Sequence, residues 1–270
     1  MRDVSFGQYY PSNSVVHRLD ARAKLLLTIA FIVMVFLVDN LLAYIPVVVF
    51  ILLVTLVSRV PVLKVLKSIK AIIFIVVLMS IINLFANAEG EVYWSWWKLS
   101  ITSGGVLTAI NLALRLIFLV MGSSLLTYTT TPMELTDGME SLMYPLKLIK
   151  VPTHDIAIIM SIALRFIPIL MEEVDKIMMA QKARGACFDR GGVFKRAKAL
   201  LPVLIPLFVS AFRRADELAL ALDARCYNAT PNRTKYKKAK LGWGDLVATL
   251  ITGVFITLVV AINNNFWGLY

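Results

Sequence analysis

Two arginines at matching positions of two similar charged segments are the residues whose types and spacing suggest chemistry. Arg184 and Arg225 each follow an alanine and precede a small residue. An aspartate stands nine residues before each arginine, Asp175 in one segment and Asp216 in the other. A guanidinium on a rigid helix end can enter a narrow groove and pair with carboxylates or carbonyls. The predicted chemistry is therefore recognition of a partner.

Each arginine alone has a simpler explanation, because a cation in the last turn of a helix complements the helix dipole. The repeat weakens that explanation: at one constant offset, Ala180 matches Ala221 and Ala183 matches Ala224. Arginine also commonly anchors protein interfaces. We interpret the pair as docking sites for two similar partner subunits, formed by Ala183, Arg184, Gly185, Ala224, Arg225 and Cys226.

The sequence lacks the signatures of an enzyme. It contains no P-loop, no H-E-x-x-H and no G-x-S-x-G motif. The two histidines, His17 and His154, are too far apart to suggest a metal site. Cys187 and Cys226 have neither zinc-site spacing nor a disulfide-rich pattern. We expect a chain that is itself non-catalytic and that holds no cofactor or metal.

The composition places the chain in a membrane. Of its 270 residues, 59% are hydrophobic, whereas soluble domains have about half. Lysine and arginine total 28 against 17 acidic residues, a net charge of +11. In a membrane protein such an excess marks cytoplasmic segments. No recognised nucleic-acid-binding module is visible, so no nucleic-acid partner is expected.

Charge asymmetry between alternate loops predicts the orientation of five apolar runs. Residues 1–24 and 58–70 carry four lysines or arginines each, whereas 39–40 and 87–103 carry one between them. Basic loops stay in the cytoplasm, so the N-terminus and residues 128–241 are expected inside and the C-terminus outside. The runs comprise residues 25–38, 41–57, 71–86, 104–127 and 246–262.

These features predict an all-α integral membrane protein of about five transmembrane helices with cytoplasmic amphipathic coupling helices. Its segments would be an N-terminal membrane domain at 1–127 with four spans, a cytoplasmic coupling-helix domain at 128–241 and a final span within 242–270. Tyrosine, tryptophan and glutamate in residues 87–103 predict an aromatic interfacial loop outside the membrane.

The cytoplasmic region begins with a strong helix start. Thr131 is a good N-cap, Pro132 suits the first helical position and Glu134 completes a capping box. This helix is expected to end near Pro145.

Two longer helices are expected after it. One runs through 156–182, with Pro168 as a possible kink. Pro202 and Pro206 mark the start of the other, which ends near Arg225. Charges interrupt their apolar faces too often for spanning, so both are expected to lie across the inner face of the membrane.

Two charged residues lie within or beside apolar runs. Arg115 stands in the middle of the fourth run, where a charge suggests either a functional role in the membrane or a helix contact with a nearby acid. The sequence names no partner for it. Asp245, at the edge of the last run, is expected to be an interfacial or N-cap residue.

Three stretches, residues 165–168, 180–185 and 215–225, carry the most specific motifs of the chain. In these motifs the chain resembles EcfT, the transmembrane subunit of energy-coupling factor vitamin transporters. Two positions depart from the family pattern: Ala21 replaces a proline, and Cys226 replaces the second glycine. Further matching residues near the N-terminus are Ser14, His17, Arg18, Leu19, Asp20, Arg22 and Lys24.

The resemblance implies a role for the two arginine segments. Subunits of this family join two cytoplasmic ATP-binding cassette ATPases to a small substrate-binding membrane subunit. ATP and magnesium would then bind the partner ATPases, and the complex would lie in the plasma membrane of a prokaryote. The two alanine–arginine segments would dock the ATPases, with support from Arg165, Asp175, Gln181, Asp216 and Glu217.

Two other functions compete with this one. An independent secondary transporter or channel would need inverted repeats or interrupted spans with polar residues at mid-membrane, and the only repeat seen is in the cytoplasmic helices. A membrane enzyme is disfavoured by the missing motifs. Copurification with two ATPases and a small membrane protein separates the first function from both alternatives.

Overall fold

A computed structural model gives the fold of the chain. It describes residues 9–86, 92–96, 99–143, 145, 153–186, 188, 192–227 and 242–266. The α-helices are α1 (Ala21–Phe36), α2 (Tyr44–Ser58), α3 (Val62–Lys70), α4 (Ile73–Ala86), α5 (Ser103–Thr129), α6 (Pro132–Leu142), α7 (Thr153–Ala183), α8 (Val193–Ala224) and α9 (Trp243–Phe266). A short 3-10 helix, Leu41–Ala43, precedes α2. An all-α membrane protein is thus confirmed.

The described residues form two compact units. The first, here called the membrane unit, contains those within 5–153 and 239–270. The second, here called the helix-pair unit, contains those within 154–238. The membrane unit therefore joins the C-terminal helix to the N-terminal helices.

Four helices build the core of the membrane unit. Aromatic rings connect them: the Phe50 ring of α2 lies 5.7 Å from the Phe31 ring of α1 and 5.1 Å from the Phe255 ring of α9. Helix α5 approaches α1 closely at Gly122, where an added β-carbon would overlap the Phe31 ring. Valines with at most 1% exposure fill the remaining space, namely Val35, Val38, Val47 and Val259.

Three described helices are long and apolar enough to cross a membrane, in the stretches Leu41–Ser58, Ser103–Thr129 and Trp243–Asn264. Helices α3 and α4 meet at a bend of 58° and pass the same criterion only together. The first predicted run is helical, but α1 has 16 residues, whereas a span needs about 20. Length and composition therefore support three spans among the described residues, or four if α3 and α4 together form one, and the count of five stays a prediction.

Polar contacts hold the N-terminal end of α1. The Asp20 side chain caps the helix by accepting from the Arg22 amide. The Asp20 amide in turn donates to Asp245 Oδ1 at 2.9 Å, and Asp245 Oδ2 accepts from the Gly242 amide at 2.8 Å. Asp245 is 4% exposed. Because α9 begins at Trp243, Asp245 lies in its first turn, three residues after the N-cap position, so the N-cap alternative was wrong. Asp245 connects α9 to α1 through the Asp20 amide.

Lys24 adds further hydrogen bonds inside this end of the membrane unit. Its ammonium donates to the carbonyls of His17 and Thr129, at 3.0 Å each, and the residue is 5% exposed. His17 Nε2 donates to the Tyr10 carbonyl, and its Nδ1 contacts the Ser14 hydroxyl. Ser14, His17 and Lys24 of the N-terminal motif thus form a partly buried polar cluster that joins α1 to the end of α5.

A second set of polar contacts holds the turn between α1 and α2. Arg115 donates to the Val38 carbonyl at 2.6 Å and pairs with Asp39 at 3.3 Å. Asn263 of α9 donates to the Leu37 carbonyl and accepts from the Asp39 amide. Of the two interpretations of Arg115, the structure supports a helix contact with a nearby acid, and that acid is Asp39.

A β-hairpin occupies part of the predicted outer loop. Strand β1 (Val92–Trp96) pairs antiparallel with β2 (Leu99–Thr102), with Trp96 opposite Leu99. The expectation of a loop across all of residues 87–103 was therefore wrong for these strands. Valine, tyrosine and tryptophan favour strands. In the sequence these residues had been interpreted only as marking the membrane–water interface.

Helix α6 matches its predicted start. Thr131 Oγ1 accepts from the Glu134 amide and the Glu134 carboxylate accepts from the Thr131 amide, so the capping box is present. The helix ends at Leu142, slightly before the expected Pro145. It packs on α1 at Gly138, where an added β-carbon would lie 3.1 Å from that of Ala21.

The helix-pair unit consists mainly of α7 and α8, which have 31 and 32 residues. Pro168 lies inside α7, as expected. The predicted start of α8 was wrong, because the helix begins at Val193 and contains both Pro202 and Pro206. Neither helix is among the candidate spans, which fits their many charges.

The two prolines of α8 are compatible with a helix because one freed carbonyl has another partner. Pro206 has no amide hydrogen, so the Pro202 carbonyl, four residues before it, loses its usual donor. The Gln181 side chain of α7 donates to that carbonyl at 3.4 Å. The proline spacing thus creates an acceptor that joins α8 to α7.

Candidate partner-docking site

The end of α7 has the hydrogen bonds of a Schellman motif. The Ala186 amide donates to the Gln181 carbonyl at 2.9 Å, and the Gly185 amide donates to the Lys182 carbonyl at 3.0 Å. Gly185 has a φ of +90°, in the left-handed region that this motif requires. Arg184 is therefore the C-cap residue of α7.

The end of α8 has the same arrangement without a glycine. The Tyr227 amide donates to the Leu222 carbonyl and the Cys226 amide donates to the Asp223 carbonyl, at 2.9 Å each. Cys226 takes the left-handed position with a φ of +53°. Arg225 is accordingly the C-cap residue of α8, and the replacement of glycine by cysteine leaves the form of the helix end unchanged.

We expect Cys226→Gly to stabilise the end of α8. A residue with a β-carbon is disfavoured in the left-handed region by about 1 kcal/mol, and glycine is not. Hydrogen exchange followed by mass spectrometry should show roughly fivefold slower exchange of the peptide around Tyr227. Gly185→Cys is the reciprocal control and should speed exchange at Ala186. Faster exchange in the Cys226→Gly variant would contradict the strain argument.

All six predicted docking residues are exposed, namely Ala183, Arg184, Gly185, Ala224, Arg225 and Cys226. Within the described parts of the chain, neither Arg184 nor Arg225 forms an ion pair. A guanidinium at a C-cap also lies beside the last carbonyls of its helix, which face outward. Each helix end therefore exposes a cation and small neighbours at the surface.

The predicted supporting residues divide into two groups. Arg165, Asp175, Asp216 and Glu217 are exposed, and no ion pair joins them to one another among the described residues. Gln181 is half-buried and joins α7 to α8 through the Pro202 carbonyl. Its own carbonyl accepts from the Ala186 amide, so one residue connects the α7 cap to the other helix.

An ion pair missed by sequence reasoning also links the two helices. Arg214 of α8 lies 3.5 Å from Glu173 of α7, with side-chain exposures of 36% and 26%. A partly exposed pair of this kind contributes at most about 1 kcal/mol. It supplements the Gln181 contact and sets the two helices antiparallel.

The two helix ends are far apart within the helix-pair unit. Gln181, near Arg184, contacts α8 at Pro202. Arg225 lies 23 residues farther along α8, which corresponds to roughly 35 Å of helix. The structure thus does not bring the two arginines into one site, and each stands at a separate exposed helix end. The described residues contain no cluster that could hold a metal ion.

Comparison with known proteins places this chain in a family. The family model described as CbiQ, cobalt transport protein, matches residues 12–236. A relative from Ruminiclostridium cellulolyticum is 49% identical over 267 residues, covering 99% of this chain and 100% of its own length. Relatives from Thermosediminibacter oceani and Bacillus subtilis are 47% and 44% identical, over 94% and 96% of this chain and 96% of their own lengths. All three are named energy-coupling factor transporter transmembrane protein EcfT.

Proposed function

The chain belongs to the EcfT family of energy-coupling factor transporter transmembrane proteins, and from this premise we propose that it is the scaffold and coupling subunit of an ATP-driven uptake transporter. In this role it links two cytoplasmic ATP-binding cassette ATPases to a small substrate-binding membrane subunit. The chain itself is non-catalytic, and ATP and magnesium bind the ATPases.

The observation that carries this proposal is the pair of equivalent helix ends. Arg184 and Arg225 occupy the same cap position in the same hydrogen-bonded motif. Each is exposed, and the distance of roughly 35 Å between the ends suits two separate protein domains better than one. A matched pair of contact points indicates a matched pair of partners, which two ATPase subunits would be.

The second part of the proposal concerns transmission of force. Helices α7 and α8 end at the docking arginines and are joined to each other by the Gln181 and Arg214 contacts. Movement of the ATPases would therefore act on two connected levers. Connected helices and side-chain contacts of this kind can carry conformational coupling between distant sites. The imported substrate, a vitamin or another micronutrient, would bind the partner membrane subunit.

Copurification tests the assignment directly. The chain, purified from its native membranes with a terminal affinity tag, is expected to retain two ATPase subunits and one small membrane protein in fixed ratio by mass analysis. An independent secondary transporter or channel would instead purify alone and transport substrate without ATP. Uptake by the isolated chain in vesicles that lack ATP would refute the proposal.

The proposed sidedness is tested by cysteine labelling. In a variant with Cys187 and Cys226 replaced by serine, we expect Lys237→Cys to resist an impermeant maleimide in intact cells and to react after permeabilisation. The reason is the excess of basic residues expected in cytoplasmic segments. Lys98→Cys, in the predicted outer segment, is the control that should react in intact cells. Labelling of position 237 from outside would invert the topology.

A further inference from the structure

Helix α3 has an outer face that the membrane unit leaves uncovered. Its inner face packs on the core through Val65, which is fully buried, and Ile69. On the opposite face, Leu63 is 72% exposed and Leu66 is 46% exposed. Two leucines at such exposure on a nine-residue helix are unfavourable in water, which points to an apolar surrounding.

The same outer face is basic. Lys67 and Lys70 lie in the last turn of α3 and are exposed. Neither makes an ion pair within the described residues, and residues 58–72 contain no aspartate or glutamate. Arg59, just before the helix, is exposed as well. The face therefore combines apolar side chains with uncompensated positive charge.

Contacts within the membrane unit hold α3 in a fixed position. The Tyr128 hydroxyl of α5 donates to the Lys64 carbonyl at 3.2 Å. The Lys64 ammonium lies 4.2 Å from the centre of the Tyr10 ring, a distance typical of a cation–π contact. Lys64 is thus used internally, and the position of α3 does not depend on a partner.

The bend after α3 sets its direction relative to the membrane. Helix α4 carries no charged residue and leaves α3 at 58°. Together the two helices form one candidate span with this bend, in which the charged α3 would be the oblique end at the membrane surface and the uncharged α4 would cross the apolar region. Tyr128, which contacts α3, lies next to Thr129 of the Lys24 cluster, at the end of the unit predicted to face the cytoplasm. This places α3 at the headgroups of the inner leaflet.

We propose that the outer face of α3 is a binding surface for anionic phospholipid headgroups. Lys67 and Lys70 extend to the lipid phosphates, while Leu63 and Leu66 enter the acyl region, as in other interfacial amphipathic helices. The occupant follows from charge complementarity, because the inner leaflet is negative. A lysine near such a surface contributes roughly a fivefold preference for it.

Lipid-specific fluorescence quenching tests this proposal. A bimane label is attached at Leu66→Cys in the full-length chain, with Cys187 and Cys226 replaced by serine, in vesicles of phosphatidylcholine and phosphatidylglycerol. Quenching by brominated phosphatidylglycerol is expected to exceed quenching by brominated phosphatidylcholine severalfold at equal mole fraction. A label at Leu78→Cys, on the exposed apolar face of α4, should show no such preference.

Charge variants then identify the lysines as the cause. Lys67→Gln with Lys70→Gln should remove the preference at position 66, whereas Lys67→Arg with Lys70→Arg should keep it. Lys176→Gln with Lys182→Gln removes the same charge from exposed positions of α7 and should change nothing at position 66. Unchanged quenching at position 78 shows that each variant is inserted.

Three results would overturn the proposal. Equal quenching by both lipids at position 66 would mean that no anionic headgroup is selected. Absence of quenching by either lipid would mean that another protein surface covers α3. A preference that persists in the double glutamine variant would assign the selectivity to other residues.

Discussion

Replacement of both Arg184 and Arg225 by alanine is expected to abolish substrate uptake, and either single replacement to reduce it strongly. Loss of an arginine from a docked, desolvated interface leaves its partner group buried and unpaired, which weakens binding by about 2–5 kcal/mol. One loss leaves the second helix end to retain the ATPases. Two losses remove both contact points, so the ATPases would be released or would hydrolyse ATP without transport.

Lysine is expected to substitute poorly for either arginine, because a point charge does not reproduce the planar fork of a guanidinium. Uptake and the amount of ATPase retained in membranes are measured together for each variant. Arg213→Ala, at an exposed position of the same α8 helix, is the matched control and should leave both nearly normal. Near-normal uptake by the double alanine variant at equal expression would rule out the docking role.

Replacement of Lys24 by methionine is expected to destabilise the membrane unit by about 2 kcal/mol, because two carbonyls inside the unit lose their hydrogen-bond donor. Methionine keeps the length of the side chain but leaves the carbonyls of His17 and Thr129 without their donor. The carboxylates of Glu134, Asp245 and Asp20 also attract this ammonium, although its burial opposes that attraction. Thermal unfolding of the purified protein in detergent measures the effect.

A double-mutant cycle separates charge loss from packing change. Asp245→Asn retains an oxygen that can accept from the Asp20 amide and removes one of the negative charges near Lys24. It is therefore expected to be less harmful in the Lys24→Met background than in the wild type. Lys176→Met, at an exposed position of α7, should shift stability by no more than about 0.5 kcal/mol. Equal melting of the Lys24→Met and Lys176→Met variants would show that the ammonium does not stabilise the cluster.

Local signals in the sequence predicted local structure well. The capping box at Thr131 and the ends of α7 and α8 depend on residues within one or two turns of each other. The apolar runs of α2, α5 and α9 likewise follow from composition alone. Such features were read from the chain because their interaction partners are near in sequence.

Features that depend on distant partners were missed. Pro202 and Pro206 stay inside a helix because Gln181, about 20 residues earlier, contacts the freed carbonyl. Arg115 pairs with Asp39, which is 76 residues before it. Asp245 accepts a hydrogen bond from the Asp20 amide, which is 225 residues before it. No periodicity or motif indicates which distant residue will make such a contact, so the residues could be predicted from the sequence but their partners could not.

At the docking site, too, the residues could be predicted from the sequence but the groups that they contact could not. The sequence predicted which residues stand at the two helix ends, and the structure places all six at exposed positions. It also shows the identical cap geometry, which the difference between Gly185 and Cys226 had obscured. The docking itself stays a prediction, because the groups that would receive the arginines belong to other chains.

The two sets of polar contacts at the ends of α1 define a hydrophobic length for the membrane unit. From Asp245 to Asn263 along α9, and from Asp20 to Val38 along α1, the separation is about 27 Å. A typical hydrocarbon core is about 30 Å thick. Neither helix can tilt to change this separation without breaking its contacts, so if α1 spans the bilayer as predicted, the bilayer would thin around it. Hydrophobic mismatch would therefore make this subunit favour thinner membranes. Lipids with long acyl chains would strain the hydrogen bonds of Arg115 and Asn263.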